Sequence, residues 1–342
     1  MAIPLSLRTL HLYAENWRAL RTVGDAMGRE SGRKATGTLN PARAEGGRSR
    51  TMTLLGAGSA LVFVGGWLIV ATSYRTPAAP SHREPHSVKS TDRVLRFSVV
   101  GDLGDGGRKQ LRVATRMCRW RREHAYRDVI TTGDNIYPDG SSKYFVKRFF
   151  RPYACLLRAG VRFHASLGNH DYETDKGDPE LAEPAFGIKG RNYVFRRRGV
   201  RFLIADSNAL DVAWLRERLR TTAEDRWTIV AFHHPVYSPG PHGPTPGFGS
   251  RLARLFSRRG VDLVLNGHDH LYSVSRPVKG VRYVVTGGGG RELDTCERKG
   301  VAATCKSRNH FLYVVAGRRR IRVQAVPMNG APFHRFQTAG KA

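Results

Sequence analysis

Short apolar runs, each followed by glycine or an ionisable residue, organise the chain from residue 93 onward. Residues 93–100 are rich in Val and Phe, 128–132 carry Val-Ile, 162–167 alternate, 227–232 contain Ile-Val, and 261–265 read Val-Asp-Leu-Val-Leu. Runs of this length and β-branched content predict strands. Residues 281–286 predict a further strand and 311–326 a C-terminal hairpin, while 108–123, 211–221 and 250–259 predict helices. In an open α/β sheet the carboxyl ends of the strands form one crevice, so the side chains that follow the strands are delivered to one place.

The N-terminal region has another character. Residues 1–50 are Arg- and Gly-rich with one short amphipathic stretch over 5–20, and predict a basic, disordered segment. Residues 51–74 carry no charge. Their core, 54–71, is long enough with its flanks to cross a bilayer of about 30 Å at about 1.5 Å per residue. The Gly-Ser content, Trp67 and the polar linker over 75–91 favour a transmembrane helix or signal anchor over a buried core helix. Nine basic against four acidic side chains in residues 1–50 keep the N-terminus cytoplasmic, so the domain over 92–330, with a tail over 331–342, is expected outside. If translation starts instead at Met27 or Met52, the stretch acts as a cleaved signal and the domain is secreted. Either route exports it.

The polar residues behind the strands carry the chemistry. Asp102 lies in Gly101-Asp102-Leu103-Gly104, Asp134 and Tyr137 in Gly133-Asp134-Asn135-Ile136-Tyr137, and Asn169 and His170 in Gly168-Asn169-His170-Asp171. His233 ends Val230-Ala231-Phe232-His233, and His268 and His270 lie in Gly267-His268-Asp269-His270. Singly, a Gly-Asp after a strand is a turn or cap, and a lone histidine is a hydrogen-bonded core or surface residue. A turn gains nothing from two or three further ionisable groups, and the whole series behind apolar runs reads as a two-metal site. Carboxylate, phenolate, amide and imidazole donors suit hard or borderline metals; with no Cys in any string, thiolate zinc is not expected. The glycines at 101, 104, 106 and 107 lack the spacing of a dinucleotide fingerprint, and there is no Walker sequence.

These strings resemble the blocks of the metallophosphoesterases, and within them the purple acid phosphatases: Gly-Asp-x-Gly, Gly-Asp-x-x-Tyr, Gly-Asn-His-(Asp/Glu), Val-x-x-His and Gly-His-x-His. The resemblance spans about residues 93–326. Gly104 stands where most metallophosphoesterases carry a histidine ligand, and Tyr137 is available to fill that vacancy. The resemblance implies an α/β (α+β) fold, a four-layer αββα sandwich of two mixed β-sheets, here behind an N-terminal transmembrane helix. It implies a ferric ion held by Asp102, Tyr137 and His270, a divalent ion (Fe, Zn or Mn) held by Asn169, His233 and His268, and Asp134 bridging them. It implies an acid phosphatase that hydrolyses phosphate monoesters by in-line attack of a metal-bound hydroxide. An extracytoplasmic phosphodiesterase or nucleotidase on the same scaffold is the alternative.

The string His234-Pro235-Val236-Tyr237-Ser238, followed by Pro241-His242-Gly243-Pro244-Thr245, is similar to the small, mammalian-type tartrate-resistant acid phosphatases. There the histidines matching His170 and His242 lie beside the leaving group, which implies that they protonate it. His234 stands where that type has Tyr, and either adds a cation to the pocket or packs against its rim. Gly287-Gly288-Gly289-Gly290 resembles the family's Gly-rich turn. It is either a phosphate-cradling nest or, the favoured choice, a tight turn that lets backbone approach the metals.

Charge adds little. The formal net charge is +29, but 46 of the 57 basic residues are arginine, a skew that GC-rich coding explains as well as binding does. Arg196-Arg197-Arg198 and Arg318-Arg319-Arg320 fall in predicted hairpin strands or turns and read as solvated faces. The aromatic interleaving of a single-strand groove is absent, so nucleic acid is not expected as a specific partner. The expected partners are a phosphate monoester and, through the N-terminal helix, a membrane; the sequence fixes no oligomeric state. Four cysteines agree with export. Cys296 and Cys305 flank a polar loop that a disulfide would staple, whereas Cys118 and Cys155, in predicted helices, are either a second bridge or buried thiols.

Overall fold

The computed structural model describes residues 94–339 apart from 221–224 and 298–299. The expected basic segment, transmembrane helix and linker over 1–91 lie outside the described residues. Among the described residues no helix is long and apolar enough to cross a membrane.

Two mixed sheets form the body of the protein. In the first, β1 (Leu95–Val100), β2 (Asp128–Thr131) and β3 (Arg162–Ala165) run parallel. Strands β11 (His310–Ala316), β12 (Arg320–Pro327) and β13 (His334–Ala339) continue it antiparallel from β1, in the order β13-β12-β11-β1-β2-β3. The second sheet has a parallel centre of β5 (Val200–Ile204), β6 (Trp227–Ala231), β7 (Leu263–Asn266) and β9 (Arg282–Thr286). Antiparallel β4 (Tyr193–Arg197) flanks β5; β8 (Tyr272–Ser275) and then β10 (Ala302–Lys306) extend the other side.

Side-chain alternation along the strands sorts the core into three layers. Phe97 and Val99 of β1, Phe202 and Ile204 of β5, Leu263 and Leu265 of β7, and Leu312 and Val314 of β11 meet between the sheets. Their outward neighbours face helices instead. The first sheet turns Val129, Phe163, Phe311 and Tyr313 toward α1 (Arg108–His124) and α2 (Ala154–Arg158). Helix α1 forms there because Val113, Ala114, Met117 and Trp120 recur on one buried stripe, while Arg121, Arg122 and His124 suit its C-terminal dipole. Short helices α3 (Asn169–Glu173) and α4 (Asp178–Ala182) follow β3. The second sheet packs Leu203, Val230 and Val264 against α5 (Val212–Arg218) and α6 (Gly249–Arg258). The described residues are thus a four-layer αββα sandwich. Removing a ring at its centre, as in Phe97→Ala, is expected to cost about 3–5 kcal/mol.

Two boundaries differ from expectation. The supposed tail over 331–342 holds β13, an edge strand whose exposure alternates and whose sequence carries too few apolar residues to announce it. The helix expected over 211–221 begins one residue later, because Asp211 is its cap and accepts a 2.8 Å bond from the Trp214 N–H. Cys118 and Cys155 are joined, as are Cys296 and Cys305. The first bridge ties α1 to α2 over the outer face of the first sheet.

Candidate metal centre

The carboxyl ends of both sheets meet at one edge. Gly101 N donates to Thr286 O at 3.0 Å, tying β1 to β9 of the other sheet; Asp102 N donates to Gly133 O and Gly267 N to His233 O, each at 3.0 Å. The turns are strained where the sharpest chemistry sits: Asp102 (φ 55°), Asp134 (φ 51°) and His268 (φ 76°) are left-handed without being glycine. Such conformations cost of order 1–3 kcal/mol each and persist where the surroundings over-determine them. Gly168 must be glycine for a different reason, since a Cβ there would lie 2.1 Å from Asp134 Oδ1.

Seven sequence-selected residues come together here, in two groups. In one, Tyr137 Oη lies 3.3 Å from Asp102 Oδ1 and 3.1 Å from His270 Nε2, and Asp102, Asp134 and His270 offer ligand atoms within 4.8 Å of one another. In the other, Asn169 Oδ1 lies 3.0 Å from His233 Nε2 and 3.1 Å from His268 Nδ1, the two nitrogens being 3.2 Å apart. Asp134 belongs to both, with Oδ1 3.5 Å from His233 Nε2. Donors sharing one ion at about 2.1 Å are separated by about 3 Å, so the second group has the spacing of a coordination sphere. The His233 Nδ1–H donates to Thr132 O at 2.9 Å, which fixes the tautomer that leaves Nε2 with its lone pair.

The electrostatics call for cations. Burial, and then the charge of Asp134, push the Asp102 carboxyl well above the usual range; burial likewise raises Asp134 and Tyr137. Burial also pushes His233 well below its ordinary value and His268 down to about 2, with neighbouring histidines adding to both. Neutral imidazoles facing buried anions are a ligand set. The site therefore fits one ion beside Asp102, Tyr137 and His270 and another beside Asn169, His233 and His268.

The remaining sequence-selected residues line the approach. His170, half-buried, has Nδ1 2.6 Å from Pro138 O and 3.3 Å from Glu173 Oε1, and its ring centroid is 4.6 Å from that of Tyr137. His242 is exposed, with its ring 4.5 Å from His268 and its backbone N–H on Asp269 Oδ1 at 3.0 Å. Of the two roles open to His234, its contacts favour packing: Ser207 Oγ lies 2.8 Å from its Nδ1, the ring stands 4.7 Å from His268, and burial lowers its basicity. Gly287-Gly288-Gly289-Gly290 is the tight turn. Gly287 and Gly289 already donate to Leu271 O and Gly101 O, and a Cβ on Gly287 would come 2.8 Å from Asp102 Oδ2.

Other residues at the site escaped the sequence. Asp171 accepts from the backbone N–H groups of Asn135, Ile136 and Gly168 and thereby sets the loop that carries Asp134. Its place in the Gly-Asn-His-Asp string was a signal. Glu180, bound through the Asn135 amide at 2.9 Å, and Arg291, 4.4 Å above the Tyr137 ring, carry none.

Comparison with known proteins identifies the family. A profile described as calcineurin-like phosphoesterase matches residues 95–272. The chain is 40% identical over 241 residues to tartrate-resistant acid phosphatase type 5 of Oryctolagus cuniculus, covering 57% of this chain and 73% of that one. The chain belongs to the calcineurin-like phosphoesterases, in their purple acid phosphatase family. It is 27% identical over 242 residues to purple acid phosphatase 17 of Arabidopsis thaliana, covering 59% of this chain and 70% of that protein. In fold it is similar to purple acid phosphatase PPD1 from yellow lupin seeds, with TM-score 0.62 and 17% identity over 72% of this chain and 54% of that one. It is also similar to GAP50, described as the anchor in the inner membrane complex of Plasmodium, with TM-score 0.64 and 16% identity over 73% and 90%. As a purple acid phosphatase relative the protein is a hydrolase, a metal-dependent phosphoesterase.

Proposed function

We propose that this phosphoesterase is a binuclear acid phosphatase for phosphate monoesters, with Fe(III) beside Asp102, Tyr137 and His270, a divalent Fe, Zn or Mn beside Asn169, His233 and His268, and Asp134 between them. The observation that carries this is Asp134 itself, a buried carboxylate within ligand distance of both donor groups. The anionic group with its phenol suits the trivalent ion, and the amide with its imidazoles suits the divalent one. Bound there, the two cations would neutralise the phosphate oxygens and supply an activated water.

The chain's own part is orientation and proton transfer. Asp171 and the strained turns hold the acceptors in place. Pro138 O holds the His170 ring, and the Asp269 carboxylate holds the His242 backbone, so that a protonated imidazole can meet the departing alkoxide oxygen. Export to an oxidising compartment is part of the proposal, supported by the bridges Cys118–Cys155 and Cys296–Cys305. Membrane attachment through 51–74 is the proposed anchor, with secretion if that segment is cleaved. Steady-state hydrolysis of an alkyl monoester against the matching diester tests the substrate class. Faster turnover of the monoester is expected; faster turnover of the diester would make the protein a phosphodiesterase.

A further inference from the structure

We propose that His242, Asp269 and Asp294 form a third cation site, separate from the two donor groups, that takes a divalent transition ion, zinc above all. One nitrogen of His242 and one carboxylate oxygen from each aspartate lie within 4.8 Å of one another. An ion at the middle of such a triangle sits no more than about 2.8 Å from each donor, a small side-chain rotation from zinc bond lengths of about 2.0–2.2 Å. The frame is fixed by backbone: His242 N donates to Asp269 Oδ1 at 3.0 Å, His270 N donates to Asp294 Oδ2 at 2.7 Å, and Asp294 N donates to His270 O at 3.1 Å.

An independent observation points to the ligand. Asp269 is 0% exposed and its Oδ2 is a buried oxygen with no well-formed hydrogen bond, the Ser238 hydroxyl lying beside the carboxylate as a weak donor. Burying a carboxylate oxygen without a good hydrogen bond is costly, and a cation held by this carboxylate lowers that cost. Gly240 lets the chain close over this residue, since a Cβ there would lie 2.5 Å from Asp269 Cγ. One imidazole and two carboxylates favour zinc or manganese over magnesium or calcium, which prefer all-oxygen shells. His242 is exposed, so the ion enters from solvent and keeps water in its remaining positions.

The consequence for catalysis rests on His242 being a proton donor to the leaving group, as proposed above. Coordination occupies the imidazole lone pair, and the coordinated ring no longer serves as an acid at neutral or acidic pH. Zinc at this site therefore inhibits while the two-ion centre stays filled.

The test uses the full-length protein with its tight ions in place, titrated with Zn²⁺ by calorimetry and by elemental analysis after dialysis in zinc-buffered solution. Wild type takes one further, weaker zinc. Asp294→Asn, which can still accept from the His270 N–H, and independently His242→Ala weaken that binding by roughly tenfold or more, leaving the tight ions unchanged. No extra zinc in wild type, or equal extra zinc in both variants, overturns the site. Rates separate the two claims: filling the site should slow an alkyl phosphate by roughly tenfold or more and a nitrophenyl ester less. Extra zinc that follows the variants but leaves both rates alone keeps the site and removes His242 as the proton donor.

Discussion

Asp128 and Asp134 bracket the same strand and are both buried, yet the protein treats them in opposite ways. Asp128, at the start of β2, faces donors that the chain supplies: His164 Nε2 at 2.9 Å, and the Arg162 guanidinium through Nε and Nη2 at 3.1 and 3.2 Å. Burial pushes its carboxyl up, but the hydrogen bonds from His164 and Arg162 outweigh that and hold it at about 2. Asp134, just past the end of the strand, sits in strained backbone beside Asp102, and burial holds its carboxyl above the usual range. The first end is neutralised by the chain and is architecture. The second collects negative charge that the chain leaves for an ion to neutralise.

The largest effect that can break this contrast is at Asp134. Asp134→Asn is expected to lose bound metal and bring phosphatase activity to background, both measured on the same preparation; activity near wild type would remove Asp134 from the centre. Next come the two histidines proposed as proton donors. His170→Ala and His242→Ala should keep the metals and lower turnover of alkyl phosphates by roughly 10²–10⁴, with a smaller loss on a nitrophenyl ester whose leaving group hardly needs a proton. Equal losses on both esters with chemistry rate-limiting would assign these residues to phosphate binding instead.

Tyr137→Phe sharpens the contrast within the centre. Oxidised, iron-loaded wild type should be coloured by phenolate-to-iron charge transfer, and the variant colourless; a visible spectrum that is unchanged by the substitution would rule out Tyr137 as the ligand. Asp128→Asn should be the mildest for catalysis, with rates within a few-fold of wild type. It acts on stability instead. Because the folded carboxyl titrates at about 2 against an ordinary 3.8, its contribution of about 2 kcal/mol is full above about pH 5 and is lost as pH falls through 2. Wild type should therefore exceed the variant in denaturant midpoint at pH 6 and converge with it near pH 2.

How much of this was visible in the sequence follows from chain separation. The donors Asp102, Asp134, Tyr137, Asn169, His233, His268 and His270 each stand directly behind an apolar run, and strand ends converge by topology, so their meeting could be read without coordinates. The alternating runs also announced most strands. Strand β13 escaped because it is an exposed edge, with Phe336 among polar neighbours. Glu180 and Asp294 escaped because their partners, Asn135 and His270, lie 45 and 24 residues away, where no local pattern connects them. The choice between a nest and a turn at Gly287-Gly288-Gly289-Gly290 needed the partners of individual N–H groups, which spacing does not reveal.

The central claim is that the charge left uncompensated behind β2 is a two-ion site. Elemental analysis of the purified full-length protein, after gel filtration to strip weakly held ions, tests it most directly. Two metal ions per chain in wild type and in Asp128→Asn, with loss of metal in Asp134→Asn, is the predicted result. A single ion per chain, or Asp134→Asn retaining the wild-type content, would contradict the account.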